Sequence, residues 1–349
     1  MSAQETHQGA VETLTCLEPF EPHRWWRGGW MQTLSIKALR VDLDLDTWPG
    51  HEIIRIEDDR TPPDVLLGHY LPPKSATSTK PLVIVFHGMG GTATSGYMKS
   101  IGLRLLEHEY PVVLWNHRGA GTSRSECSHF HHPGFTDDIR RLVKHLREDY
   151  SHWIEGGIAM VAFSLGANPM LRYLAEEGED CPVQAAVSVS APLDMEVTSR
   201  NLRSGWNRVF DQYLLRKQRA EVLRPNVKLS DEQLEAAKNA SSVWELDDQF
   251  TAKLFDFDGA EEYYRANSAI HVLDDIRTRT LLIHAEDDPV VDDDVFHQRQ
   301  WTDEGPLFAA LASSGGHTGF LDQNGKRWHE ACTVRFFDDC LKRRSEASE

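Results

Sequence analysis

The 349-residue chain has little cysteine, no long apolar run and a shortage of positive charge. Its five cysteines are scattered, with no CxxC pair, so neither a disulfide framework nor a structural zinc site is expected. Nowhere do 18 uncharged apolar residues follow one another, and the first 30 residues carry glutamates and no signal-peptide core. We therefore expect a cytoplasmic protein that is not exported and has no integral membrane segment.

Negative charge dominates the composition. Acidic residues outnumber basic ones by 54 to 37, for a formal net charge of -17, which opposes association with nucleic acid or with anionic lipid. We expect a small-molecule ligand and no nucleic-acid partner. His129, His131 and His132 lie close together, but no spaced Cys, Asp or Glu accompanies them, so we assign no metal and no cofactor.

Apolar segments alternate with amphipathic ones through most of the chain. The strand-like segments are Leu82 to Phe86, Val112 to Trp115, Ile158 to Val161, Val183 to Val189, Thr280 to Ile283 and Leu307 to Leu311. Helical periodicity marks Tyr97 to Glu107, Thr136 to Glu148 and Leu165 to Glu176. Continuous apolar strands are typical of parallel sheets that are covered on both faces, so the alternation predicts a doubly wound α/β sheet. Two earlier segments, Glu52 to Glu57 and Val65 to Leu71, predict an N-terminal hairpin.

The alternation is interrupted from Leu193 to about Ile270, a charged and aromatic stretch that includes the helical patterns Asn207 to Arg219 and Asp231 to Ala240. An insertion at the ends of sheet strands is placed to act as a lid. We therefore predict one domain over residues 18–343 with a helical lid at 193–270. Residues 1–17 are predicted to be disordered, Lys326 to Lys342 to form a closing helix, and 344–349 to form a flexible tail.

The segment Ile158 to Gly166 indicates a chemistry. An apolar strand leads into Ser164, which has Ala162 and Gly166 two positions to either side, and a helical pattern follows. This is the outline of a nucleophile elbow, a turn so sharp that only small residues fit beside the serine.

An elbow serine predicts an acid and a histidine later in the chain, in that order. Asp288 follows the strand that ends near Ile283, and His317 lies among glycines after the run Leu307 to Leu311. Asp288 is preferred to its neighbour Asp287 as the acid because it directly precedes the Pro-Val-Val segment.

Two backbone amides are candidates for stabilising an oxyanion. The sequence His-Gly-Met-Gly-Gly at residues 87–91 follows the strand Leu82 to Phe86, and its glycines allow the backbone to approach a substrate closely. We expect the N–H groups of Met89 and Leu165 to be the donors. Neither GxGxxG nor GxxxxGK[ST] fits this loop, which argues against a phosphate site.

Aromatic residues in the insertion are candidates for substrate contact. Trp206, Phe210 and Tyr213 are spaced as one face of a helix, and such a face would line an acyl pocket or pack in the core. Both readings are open at this point.

These features resemble the α/β-hydrolases and, within them, the YheT-like branch of hydrolases and esterases. The resemblance runs from about Pro19 to Leu341. Four further segments are similar to motifs of that branch: Trp30-Met31-Gln32-Thr33, Asn116-His117-Arg118-Gly119, the run His132 to Asp138, and Phe250-Thr251-Ala252 with Gly259 and Tyr263-Tyr264. Two positions depart from its pattern. Trp30 stands where the branch has His, and Ala162, beside the elbow serine, stands where Gly is more usual.

The resemblance implies a serine hydrolase that cleaves carboxylic esters, acylglycerols and other lipid-like esters among them, through an acyl-serine intermediate. By that resemblance Ser164 is the nucleophile, His317 the base and Asp288 the acid. Acyl transfer to an alcohol or thiol would use the same residues, and a hydrolase scaffold can also be a non-catalytic binding protein. Both alternatives stay open.

Overall fold

The computed structural model describes residues 17–38, 41, 43–75, 77–301 and 305–348. Except for Leu17, the N-terminal segment 1–17 that is predicted to be disordered lies outside the described residues. None of the helices in the described ranges combines the length and the apolar character needed to cross a bilayer.

A single eight-stranded sheet organises the chain. Its spatial order is β1-β2-β4-β3-β5-β6-β7-β8; β1 and β2 form an antiparallel hairpin, β2 pairs antiparallel with β4, and the remaining pairs are parallel. The prediction of a doubly wound sheet with an N-terminal hairpin is confirmed. The strands are β1 Glu52–Glu57, β2 Val65–Leu71, β3 Leu82–Phe86, β4 Val112–Trp115, β5 Ile158–Phe163, β6 Val183–Val189, β7 Arg279–Ala285 and β8 Leu307–Ala312.

Helices cover both faces of the sheet, because successive side chains of a strand point to opposite sides. Val83 and Val85 of β3 pack in one core cluster and Ile84 and Phe86 in the other. The first face is covered by α2 Gly96–Glu107 and α12 Trp328–Ser348, and the second by α3 Asp137–Asp149 and α4 Ala167–Glu177. Before the sheet lies α1 Gly29–Ala38, and between β7 and β8 lies α11 Asp294–His297.

The insertion between β6 and β7 is helical, as predicted. Every residue from 190 to 278 is described, and none of them lies in a strand. Its own small cores, which include Leu215, Phe250 and Tyr263, hold it together above the strand ends. Its helices are α5 Met195–Leu202, α6 Arg208–Val222, α7 Asp231–Asn239, α8 Val243–Leu246, α9 Ala252–Leu254 and α10 Ala260–Asn267, with a π-helical turn, Asp247–Thr251, between α8 and α9.

The C-terminal helix differs from the prediction. The helix predicted for Lys326 to Lys342 runs from Trp328 to Ser348 and so covers most of the segment 344–349 that was expected to be a flexible tail. Ion pairs at four-residue spacing support this extension: Arg343 to Asp339 at 2.8 Å and Lys342 to Glu346 at 3.9 Å.

Candidate active site

Ser164 lies on a sharp turn between β5 and α4. Its φ is +50°, a left-handed conformation that costs a non-glycine residue energy and often marks a functional site. Its surroundings are tightly packed: a Cβ at Gly166 would lie 2.1 Å from the carbonyl oxygen of His87, and a Cβ at Gly88 would lie 2.9 Å from the Ser164 Cβ. The turn therefore requires the small residues that surround the serine.

Three side chains from distant parts of the chain form a hydrogen-bonded line. The Ser164 hydroxyl lies 2.7 Å from Nε2 of His317, and Nδ1 of His317 lies 2.9 Å from Oδ2 of Asp288. The other carboxylate oxygen of Asp288 accepts the N–H groups of Val290 and Val291, at 2.8 and 3.0 Å. The structure thus brings together the three residues that the sequence predicts as nucleophile, base and acid.

The environment of Asp288 favours its ionised form. Burial of this carboxyl opposes ionisation, but the neighbouring His317 and the backbone N–H of Val291 hold its pKa below the ordinary value. An ionised carboxylate at Nδ1 places the imidazole proton there and leaves Nε2 free to accept the serine proton.

Asp287 has a different function from its neighbour. Its carboxylate accepts the Ser314 hydroxyl and the Gly316 N–H, both at 2.8 Å. It therefore binds the loop that carries His317 and does not contact the imidazole in the way Asp288 does.

Side chains from three elements anchor the backbone of the His317 loop at three successive N–H groups. The N–H of Gly316 bonds to Asp287, that of His317 to the Thr33 hydroxyl at 2.8 Å, and that of Thr318 to the Ser190 hydroxyl at 3.0 Å. The sequence alone does not predict these anchors. The resemblance of residues 30–33 to a motif was the one signal that pointed to Thr33.

The start of α1 is built to hold this loop. The Gln32 side chain donates to the Leu321 carbonyl at 3.0 Å and accepts its N–H at 2.7 Å, and the Thr33 hydroxyl donates to the Gly29 carbonyl at 2.7 Å. A Cβ at Gly29 would lie 1.6 Å from the Asp287 carbonyl oxygen. Trp30 packs against Phe210 of α6 with the rings tilted and their centroids 4.4 Å apart, so the same short helix contacts both the loop and the insertion.

The predicted oxyanion donors flank the serine. In the loop after β3, the Gly88 N–H donates to the Tyr97 hydroxyl at 3.0 Å and Gly91 donates to the Gly88 carbonyl at 3.0 Å. The Met89 N–H between them has no hydrogen-bond partner within the described ranges. Leu165 lies in the first helical turn after β5, where N–H groups lack an intrahelical acceptor. Met89 and Leu165 both line the cavity that also contains Ser164.

His87 holds the loop after β3 as a neutral imidazole. Burial lowers its pKa to about 4. Its Nδ1 donates to the Gly88 carbonyl at 2.8 Å, and its Nε2 accepts the His117 N–H at 3.2 Å.

Buried Arg118 connects two of the motif segments. Its guanidinium contacts Asp58 at 2.6 Å, Asp64 at 2.8 Å and Asp138 at 2.5 Å. It therefore ties the turn after β4 to the hairpin and to the start of α3, which supports the strand ends around the site.

The histidines of residues 129–132 do not converge on one point. His129 contacts Asp64 at 3.1 Å, His131 stacks on His117 at 4.2 Å, and His132 packs against Phe255 at 4.2 Å. In the part of the chain that the structure describes, the one group with metal-ligand spacing is the acidic run 292–294, and nothing beyond its acidity points to a bound ion.

A cavity of about 760 Å³ opens onto Ser164 and His317 beneath the insertion. Its wall is mostly apolar and includes Phe210 and Tyr213 of α6. Phe210 also packs against the main core, so the two readings of that residue are not exclusive. Trp206 is 84% exposed and is not among the residues that line the cavity, because it lies in the short turn before α6.

Several known proteins are similar to this chain in sequence or in fold. The family described as serine aminopeptidase, S33 (Hydrolase_4) matches residues 77–326. The YheT esterase of Escherichia coli (strain K12) is 32% identical over 245 residues, which are 69% of this chain and 71% of that protein. The monoacylglycerol lipase of Saccharomyces cerevisiae is 29% identical over 275 residues, 76% of this chain and 60% of the lipase. An esterase of Pyrococcus furiosus has the same fold, with a TM-score of 0.55 at 16% identity over 93% of this chain and 97% of the esterase.

Proposed function

The chain belongs to the YheT-like branch of the α/β-hydrolases, and on that premise we propose that it hydrolyses carboxylic esters with Ser164 as nucleophile. The observation that carries this proposal is the line of two hydrogen bonds, 2.7 and 2.9 Å long, from Ser164 through His317 to Asp288. A buried carboxylate, an imidazole and a hydroxyl in this order form the arrangement that activates a serine.

In the first half of the reaction Oγ of Ser164 attacks the ester carbonyl carbon while Nε2 of His317 takes the hydroxyl proton. The negative charge that develops on the carbonyl oxygen is stabilised by the N–H groups of Met89 and Leu165. The C–O bond to the alcohol then breaks, and His317 returns the proton to the departing oxygen. This leaves an acyl-serine and a free alcohol.

Water completes the turnover. His317 removes a proton from a water molecule, the resulting hydroxide attacks the acyl carbon, and Ser164 leaves with the proton from the imidazole. Asp288 stabilises the positive imidazolium in both halves. The products are a carboxylic acid and the alcohol.

The cavity supports an ester with an apolar acyl group. Its volume of about 760 Å³ lies within the roughly 300–1,000 Å³ of small-molecule sites, and its apolar wall favours a hydrocarbon chain. One relative carries the name monoacylglycerol lipase, which supports a lipid-like ester for this chain too. Acyl transfer to an alcohol remains the second candidate, since it differs only in which hydroxyl enters after acylation.

The test combines covalent labelling with substrate series. The wild-type protein should react with a fluorophosphonate and hydrolyse p-nitrophenyl esters, whereas Ser164→Ala should do neither. Ser151→Ala, a change at an exposed serine, is the matched control and should behave as wild type. Inclusion of an alcohol series measures acyl transfer, and aminoacyl p-nitroanilides measure peptidase activity. A folded wild-type protein that neither labels nor turns over any ester would refute the proposal in favour of a binding protein.

A further inference from the structure

Exposed apolar side chains are concentrated on one face of the protein. Within the described ranges seven large apolar side chains are exposed, and all but Ile53 lie in two segments, residues 25–34 and 206–213. The most exposed are Trp206 at 84% and Trp25 at 70%. Isolated exposed hydrophobic residues are ordinary, but a group of six on two adjoining segments is typical of an interaction surface.

The two segments adjoin at the opening of the cavity. Trp30 of α1 packs against Phe210 of α6, and the Lys37 ammonium lies 3.8 Å from the ring centroid of Tyr213. Leu34, Val209 and Tyr213 are exposed and also line the cavity. Three of the six exposed apolar residues therefore lie at the rim of the route by which a substrate reaches Ser164, and the other three lie on the same two segments.

The same rim is positively charged in a negatively charged protein. Residues 24–37 and 200–219 together hold nine lysines and arginines and one acidic residue, the buried Asp211, in a chain of net charge -17. In the described part of the chain, just one of these nine cations, Arg200, forms an ion pair, with Glu196 at 2.6 Å. Arg24, Arg27, Lys37, Arg208, Arg216 and Lys217 are exposed.

We propose that this rim, formed by residues 24–37 and 200–219, docks on an anionic phospholipid surface. Exposed tryptophan beside lysine and arginine is the composition that suits the headgroup region of a bilayer. From the net charge of the whole chain we expected no attraction to anionic lipid. That net charge does not determine whether this one surface binds such lipid. At physiological salt a charge is screened within about 8 Å, so the cations at the rim act on the surface and the more distant acidic residues do not.

Docking in this orientation has a consequence for the reaction. The cavity would open directly onto the bilayer, so a lipid ester could enter it without crossing water. This consequence rests on the proposed function, whereas the docking itself does not. The docking is measured with a protein that cannot turn over substrate.

The experiment measures cosedimentation of the Ser164→Ala protein with vesicles of phosphatidylcholine alone or with added phosphatidylglycerol. Binding should increase with the phosphatidylglycerol fraction and fall as salt is raised. In the same background, Arg27→Glu with Arg216→Glu should weaken the partition coefficient by about 25-fold or more, since each cation near an anionic surface contributes about five-fold. Trp25→Ser with Trp206→Ser should weaken it on both kinds of vesicle.

Matched changes elsewhere control for surface charge and apolar exposure in general. Ile53→Ser removes an apolar side chain that is 58% exposed on β1, and Lys144→Glu reverses an exposed charge on α3; both should bind vesicles as the parent does. Equal loss of binding in rim and control variants would overturn the proposal. So would an absence of binding to anionic vesicles. A dimer detected by light scattering that the rim substitutions dissociate would also overturn it, because the rim would then be buried between two copies of the chain. Because neither Trp206 nor Arg216 lines the cavity, the same rim substitutions in the protein that retains Ser164 should leave hydrolysis of p-nitrophenyl acetate without vesicles unchanged, and this assay reports the proposed function separately.

Discussion

Replacing Thr33 by valine tests how the backbone of the His317 loop is held. Valine keeps the shape of threonine but cannot accept the His317 N–H, which bonds to the Thr33 hydroxyl at 2.8 Å. A buried donor left without a partner costs about 1–3 kcal/mol. We expect the free energy of unfolding to fall by about that amount.

The effect on catalysis should be as large in free energy as the effect on stability. Nε2 of His317 lies 2.7 Å from Oγ of Ser164, and a displacement of about 1 Å in such a pair can reduce the rate about 100-fold. We therefore expect kcat for a p-nitrophenyl ester to fall about 10- to 100-fold while KM changes little, because Thr33 acts through the histidine. Pre-steady-state kinetics should show that acylation and deacylation are both slowed, because His317 transfers a proton in each.

Two further variants make this test decisive. Thr33→Ser retains the acceptor and should restore kcat to within about three-fold of wild type, and Thr47→Val, at an exposed threonine, should leave it unchanged. If Thr33→Val folds and keeps its kcat within about two-fold of wild type, the loop does not depend on this hydrogen bond.

Three other outcomes follow from the site and the core. Asp288→Asn should reduce kcat about 10⁴-fold, because the imidazole loses its oriented tautomer. Asp287→Asn removes only a loop contact and should reduce kcat far less. Esterase assays on both variants distinguish the two aspartates. Burial raises the pKa of Glu330 from its ordinary value of 4.5 to about 7. This group's contribution to stability is therefore complete below about pH 4.5 and is lost as pH rises to about 7, by up to about 3 kcal/mol. Thermal melts from pH 5 to 9 should show the decline below about pH 7, and Glu330→Gln should remove it. Arg118→Met should lower the free energy of unfolding by about 3–5 kcal/mol, since it strands three buried carboxylates; urea denaturation measures this.

The local pattern of apolar residues in the sequence was sufficient to predict most of the fold. The buried strands β3 to β8 are mostly apolar, and in each the predicted ends agree with the observed ones to within two residues. The C-terminal helix was misjudged beyond Lys342 because its last turns carry no apolar periodicity and depend on ion pairs such as Arg343 to Asp339.

The residues of the site also fall into two groups, those that the local sequence pattern predicts and those that it does not. Ser164, Asp288 and His317 could be predicted because each follows a recognisable strand and their chain order matches a known template. Thr33 could not be assigned a contact, since it meets His317 across 284 residues of sequence, and Ser190 meets Thr318 across 128. Trp206 shared its helical spacing with Phe210 and Tyr213, but α6 begins after it, and the spacing alone could not show that.

The identity of the nucleophile is tested most directly by peptide mapping after reaction with a fluorophosphonate. Wild-type protein should gain one phosphonyl group, which mass spectrometry of the proteolytic peptides should locate on Ser164, and acid denaturation before labelling should abolish it. A phosphonyl group on any other residue, or equal labelling of Ser164→Ala, would contradict the account.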